Sequence, residues 1–335
     1  MRTLLIPEYV RSFACIGSEC EDTCCKGWRV TVDKKTYMSY RKVQDPELRQ
    51  TLQQVTGRNR QSKSDDSYGK IKLNDKGYCP LYTEEGVCGL QQKVGVEALP
   101  ATCIDYPRTV NQVNGVLERS MTLSCPEVAR LVLLNEDGLA FSQVEEPAVF
   151  DLKLSEVKEG VGREQLLWPL RIASIRLLQN RSTTLENRLI VLGLFLQKME
   201  GLSLTEQLNQ VEQIAVDYEQ RLTNEAFVES LEQLPKNIEF QLRIGRDVLN
   251  TRMEQFNISS GIFRSVLGGM IKGLRLDETL SNEERVTIYE EAYDRYYKPY
   301  MSDHEYMFEN YLVNHIFKDV FPFGNDSYIA DYRAM

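Results

Sequence analysis

The chain has 335 residues, 42% of them apolar, enough for a packed core and, at roughly 150 residues each, for about two domains. Its 40 basic side chains face 49 acidic ones, and the formal charge of −9 disfavours a nucleic-acid partner held through phosphates. The longest apolar run, 189–196, is far short of the ~20 residues that span a bilayer, and the first residues lack the apolar stretch of a secretory signal. The expectation is a cytoplasmic protein with no membrane partner, whose thiols stay reduced.

Cys15, Cys20, Cys24 and Cys25 come first, with four, three and no residues between successive members. Residues 27–32 alternate like a short strand. Asp33 precedes a helix over 34–40, and Pro46 opens a second that fades before Gly57. The polar stretch 56–70 reads as a solvated loop. Asn74-Asp75-Lys76-Gly77 and Glu84-Glu85-Gly86 are turn signals, each just before a cysteine, Cys79 or Cys88. Over 108–123, Asn114-Gly115 stands between Val110, Val113 and Val116, Leu117, which predicts a hairpin with a tight turn. Ser124-Cys125-Pro126-Glu127 has the form of a capping box with proline just inside, so a helix is expected directly after the last cysteine.

Residues 138–163 are punctuated by glycine and proline, with strand-like alternation at 149–154. They are expected to link a cysteine-rich domain (1–137) to a helical one (164–335). Ser-x-x-Glu or Thr-x-x-Glu patterns at Thr183/Glu186, Ser203/Glu206, Ser281/Glu284 and Ser302/Glu305 mark helix starts in the second part. The fold class is therefore mainly α, with a small α+β cysteine-rich N-terminal domain. In the final helix, Phe308, Tyr311, Leu312, His315 and Ile316 form the stripe expected to dock on the bundle, with Asn310 and Asn314 on another face. Tyr289, Tyr293, Tyr296 and Tyr300 also share a helical stripe. Ordinary packing is the favoured reading for it, and capture of a sulfonium or ammonium cation by Tyr293, Tyr296, Tyr297, Tyr300 and Tyr311 is the alternative.

Cys79, Cys88, Cys103 and Cys125 complete the set of eight, and no cysteine follows residue 125. Buried thiols acting as small hydrophobes do not explain this confinement. The spacing is not that of a zinc ribbon, since no two cysteines are separated by two residues. The only histidines, His304 and His315, lie far downstream, so mixed zinc sites are disfavoured. An iron–sulfur cluster is the favoured content, with zinc as the alternative and disulfides third.

The segments Cys79-Pro80-Leu81-Tyr82, Gly86-Val87-Cys88 and Leu99-Pro100-Ala101-Thr102-Cys103-Ile104-Asp105-Tyr106-Pro107-Arg108, with the four leading cysteines, resemble a cysteine-cluster family that chelates zinc or iron. With Ser124-Cys125-Pro126-Glu127, Glu309-Asn310-Tyr311-Leu312-Val313-Asn314 and Phe321-Pro322-Phe323, the chain is more narrowly similar to bacterial flagellin lysine-N-methylases. The resemblance implies methyl transfer from S-adenosylmethionine to lysine side chains of a protein, flagellin or a similar one. It also implies a 4Fe-4S cluster held by four or more of Cys15, Cys20, Cys24, Cys25, Cys79, Cys88, Cys103 and Cys125. Asp105, Tyr106, Arg108, Asn310 and Asn314 are the candidate cofactor-binding residues. No glycine-rich turn after a strand marks a donor site, and the three-cysteine spacing of radical enzymes fails because Gly27 stands where a third thiol is needed. The competing function is a metal-chelating, protein-binding module whose zinc or iron–sulfur centre is structural.

Overall fold

The computed structural model describes residues 1–147, 154–157, 162–255, 261–276, 278–324 and 327–335. Eight short strands fall in the first half: β1 (Arg2–Pro7), β2 (Thr31–Val32), β3 (Thr56–Arg58), β4 (Gly69–Ile71), β5 (Arg108–Val113), β6 (Val116–Met121), β7 (Phe141–Glu146) and β8 (Leu154–Val157). They make a five-stranded sheet of order β7-β1-β6-β5-β8 and a three-stranded sheet of order β2-β4-β3. From Leu167 onward the elements among the described residues are all helices. This is the mainly α chain with a small α+β cysteine-bearing region that the sequence predicts.

The hairpin forms as expected. β5 and β6 pair antiparallel in the register Val113↔Val116, and the turn holds Asn114 at φ 48° and Gly115 at φ 80°, the left-handed backbone that a two-residue hairpin requires. The helices Lys34–Ser39 and Pro46–Val55 start on Asp33 and Asp45, whose carboxylates accept backbone N–H bonds. The stretch 56–70 departs from a plain loop: its two ends are β3 and β4, paired antiparallel, and the buried Asn59 side chain donates to Ser67 between them. Residues 138–163 lend two strands to the larger sheet, β7 beside β1 and β8 beside β5; the strand-like alternation at 149–153 falls outside the described residues.

Ser203 and Ser281 close complete capping boxes with Glu206 and Glu284. The other box patterns resolve differently. Thr184, one residue after the expected position, caps the helix Leu185–Glu200. Ser302 ends a helix rather than starting one, and Glu305 turns outward from its own segment to accept from the Leu185 N–H, 2.8 Å away, so it closes the start of a different helix. Glu127 pairs with Arg130 instead of reaching back to Ser124.

Two hydrophobic clusters organise the chain. The smaller joins Val30, Val32, Leu52, Ile71, Leu81 and Leu90 beneath the three-stranded sheet and includes the buried Cys79. The larger runs from Met121, Val128 and Val132 through Leu170, Leu177, Phe195 and Leu196 to Val313 and Ile316, so the helices pack directly onto the larger sheet and the helix that follows it.

The helix Tyr306–Lys318 enters that core with Leu312 and Ile316 of the expected stripe buried, but on a face rotated from the stripe as a whole. Phe308 and Tyr311 are 47% and 43% exposed, whereas Glu309, Asn310 and Asn314 are at most 1% exposed. Each of these side chains has partners, Asn310 through its Nδ2 alone, which is what makes its burial tolerable. Glu309 accepts from Arg181 Nε and Nη2 at 2.9 and 2.8 Å and from Arg188 Nη1 at 2.7 Å. Asn310 Nδ2 donates to the carbonyls of Val132 and Asn135 at 3.0 and 2.7 Å. Asn314 donates to Met121 O, and its Oδ1 accepts from the Tyr9 hydroxyl at 2.7 Å; that hydroxyl in turn accepts from the Met121 N–H. Gly138, at φ 85°, lies so close to the Arg181–Glu309 pair that an added Cβ would sit 3.3 Å from both.

Two outcomes test these contacts. Glu309→Gln leaves the buried Arg188 guanidinium with only the partly exposed Glu305 carboxylate, 3.3 Å away, as a counter-charge, and is expected to cost about 3 kcal/mol, read as a lowered urea midpoint with unchanged slope. At the sheet edge, Arg119 and Arg2 hold the Glu146 carboxyl below its usual range. Its contribution is complete above the unfolded value of about 4.3 and is lost as pH falls through the lower folded value. Glu146→Gln should therefore flatten the acid limb of a urea-stability profile while lowering stability at neutral pH.

Candidate functional site

The thiols are gathered by turns. Asn74–Gly77 and Thr83–Gly86 close on backbone bonds to Gly77 and Gly86, at φ 78° and 80°, as the sequence predicts. The first turn brings Cys79 N–H onto Cys25 O at 2.7 Å, and the second pairs Tyr82 with Cys88 as an isolated bridge. Segments far apart in sequence thereby meet at one end of the smaller core.

All eight cysteines are free, with Cys79 buried and Cys15 and Cys24 exposed. Alternation in an extended segment would turn Cys24 and Cys25 to opposite sides, but the chain here is a turn and the two thiols meet. Interaction with the Cys25 thiol is the leading influence on both Cys24 and Cys88. This lowers Cys24 to about 7 and Cys88 to about 6, and raises Cys25. Backbone N–H groups of Gln91 and Leu90, at the first turn of the helix Gly89–Lys93, further favour the Cys88 thiolate. Burial pushes Cys79 and Cys103 up, and the charges of Cys88 and Cys24 act in the same direction on both.

Cys15, Cys20 and Cys125 form a second group. Burial raises Cys20 and Cys125, and the Cys15 thiol adds to the shift in each. The groups touch electrostatically through Cys24, which also raises Cys125. Among the described residues no three or more His, Cys, Asp and Glu side chains form a set arranged to hold a metal ion as they stand.

Three of the sequence-selected cofactor residues lie beside these thiols. Tyr106 packs at a tilt of 39° against Trp28 with ring centroids 5.5 Å apart, its hydroxyl is 3.3 Å from Ser124 Oγ, and its acidity is lowered first by burial and then by the charges of Cys125, Cys24 and Cys20. Arg108 is a half-buried guanidinium 5.4 Å from the Phe13 ring centroid. Desolvation lowers its pKa, while Asp105 and Cys15 favour the charge. The other two, Asn310 and Asn314, lie in the core on the backbone contacts described above. Asn314 is nonetheless close by connection, because Met121, which it holds, is the strand partner of Arg108.

Sequence reasoning did not single out Glu309 or Arg188, because a buried charge looks like a surface one in a helical pattern. It did not single out Trp28 either; the available signal was its place four residues after Cys24, to whose carbonyl the indole N–H donates.

Free thiols on turns, a two-ring aromatic face, a desolvated guanidinium and a helical body make up the site. Residues 171–335 match the FliB lysine N-methylase C-terminal domain. Lysine-N-methylases of Salmonella typhimurium strain LT2 and Salmonella choleraesuis strain SC-B67 are each 25% identical over 341 residues, covering 99% of this chain and 82% of theirs. The flagellar biosynthetic protein FliU of Salmonella muenchen is 34% identical over 142 residues, 42% of this chain and 83% of its own length. No solved structure matches. These likenesses define a methyltransferase, and the chain belongs to the FliB lysine N-methylase family. No helix among the described residues is long and apolar enough to cross a membrane.

Proposed function

We propose that this enzyme transfers a methyl group from S-adenosylmethionine to lysine side chains of a protein, with a flagellin-like protein as the substrate. The supporting observation is the likeness to lysine-N-methylases over 99% of the chain. In the reaction, a neutral lysine nitrogen forms a bond to the methyl carbon as the carbon–sulfonium bond breaks. The sulfonium leaves as a neutral thioether and the amine proton passes to solvent. Lysine is charged at neutral pH, with a pKa of about 10.4, so the site must favour its neutral form.

Donor binding is assigned to the junction beside the thiols. The Arg108 guanidinium suits the donor's carboxylate, and the Trp28–Tyr106 face suits the adenine or the sulfonium. Asp105 lies close enough to Arg108 to orient it. Asn314 acts on this site by holding the backbone of β6 in place at Met121, and Asn310 by holding the end of the helix Pro126–Leu133.

The thiols are assigned to an iron–sulfur cluster, with zinc as the alternative. What supports this is the donor set: the backbone contacts at the two turns bring the free thiol segments of Cys25, Cys79 and Cys88 together, although among the described residues no three of these side chains stand in ligand geometry. A thiolate-bound metal centre there would join the segments carrying these cysteines into one folded unit.

The test is methyl transfer from labelled donor to a flagellin by protein purified without oxygen, with iron, zinc and sulfide measured on the same sample. Label on lysine is the expected result; none, with bound metal intact, would refute the reading. Arg108→Met is expected to weaken donor binding by about tenfold, from the loss of one charge-assisted contact, with metal content unchanged, as read by calorimetry.

A further inference from the structure

The tyrosine stripe that sequence periodicity assigns to packing is on the surface. Tyr293 is 39% exposed, Tyr297 44%, Tyr300 53% and Tyr296 67%. The segment is a continuous helical rod: the helix Asn282–Ala292 passes into a π-helical turn, Tyr293–Tyr297, and then into Lys298–Met301. The wider π turn takes in an extra residue, which keeps rings four apart in line instead of letting them drift around the rod. Tyr289, Tyr293 and Tyr297 follow one another along the rod, Tyr289 tilted against Tyr293 at 6.0 Å and Tyr293 stacked on Tyr297 at 5.0 Å between centroids. Tyr300 lies flat on His304 at 4.1 Å, and His304 meets Tyr306 at 5.7 Å. Contiguous aromatic surface of this kind marks a place where something binds.

Its charge selects the partner. Between residues 289 and 306 stand Glu290, Glu291, Asp294, Asp303 and Glu305 against Arg295 and Lys298, a net charge of −3 with His304 neutral. One of the chain's own cations already lies against these rings: the Arg295 guanidinium is 5.2 Å from the Tyr296 centroid. Aromatic faces within an anionic surface attract ammonium groups.

We propose that this ladder, from Tyr289 to Tyr306, is the docking surface for a lysine-bearing segment of the protein substrate, with Tyr296 and Tyr300 taking lysine ammonium groups on their exposed faces. The choice of lysine rests on the methylase reading; the surface itself rests on exposure, stacking and charge.

The test uses the full-length chain and a fluorescein-labelled Gly/Ser/Ala peptide carrying three lysines, with binding read by anisotropy. Acetylating the lysines keeps their length and removes the charge, and is expected to weaken binding about tenfold, in the range of a cation–π contact. The Tyr296→Ala/Tyr300→Ala double variant is expected to show a similar loss with an unchanged circular dichroism spectrum. Tyr296→Phe/Tyr300→Phe, which keeps the rings, is expected to retain affinity. No binding by the wild type, equal affinity for the acetylated peptide, or undiminished binding by the double alanine variant each overturns the proposal. Methyl transfer is scored separately on the same peptide and on flagellin. Tyrosine-dependent binding without transfer to either supports the surface and counts against the methylase reading; transfer with binding indifferent to both tyrosines does the reverse.

Discussion

A carboxylate sealed in the core sets the relation between the two halves of this protein. Glu309 is 1% exposed and lies between the guanidinium groups of Arg181 and Arg188. A charge in that position is costly unless it is paired and hydrogen-bonded, so the 306–318 helix can enter the core in one rotation only. That rotation carries Asn310 and Asn314 inward with it. They bind the backbone of the 126–133 helix and of β6, and so fix the strand beside Arg108.

A second sealed pair repeats the logic under the sheet. Arg171 and Glu118, each 1% exposed, meet at 2.7 Å, with Trp168 and Phe317 flanking the guanidinium. Burial pushes the Glu118 carboxyl up while Arg171 pulls it down. Asn111 adds a bond from β5 to Lys318 O at the end of the 306–318 helix. The larger sheet is thus tied to the helical body by specific polar contacts as well as by apolar packing. The thiol region is organised differently, by tight turns over a small separate core, which suits a set of side chains that must converge from distant segments.

Local chemistry made much of this legible in advance. Asn114-Gly115 admits few conformations other than the hairpin it forms, and Asp33, Asp45, Ser203 and Ser281 cap the helices that follow them. The cysteine-bearing turns at Gly77 and Gly86 were likewise marked by residues that tolerate left-handed backbone. Where a pattern depended on a distant partner, it misled. Glu305 fits a capping box on paper, yet it caps the Leu185–Glu200 helix, because Arg188 and the Leu185 N–H stand within its reach. The tyrosine stripe has packing periodicity, yet the rings stack on one another and face outward.

What the sequence determined by itself was therefore the identity of the short-range elements, the fold class and the confinement of the thiols, since these follow from backbone preferences and composition. Tertiary structure alone decided which thiols stand together, that Asp105, Tyr106 and Arg108 stand beside them while Asn310 and Asn314 serve the core, and which face of the 306–318 helix is buried. The reason is physical. Turns and caps are set by neighbours a few residues away, whereas the burial of a charge depends on a counter-charge more than a hundred residues distant, and no local pattern records that it is there.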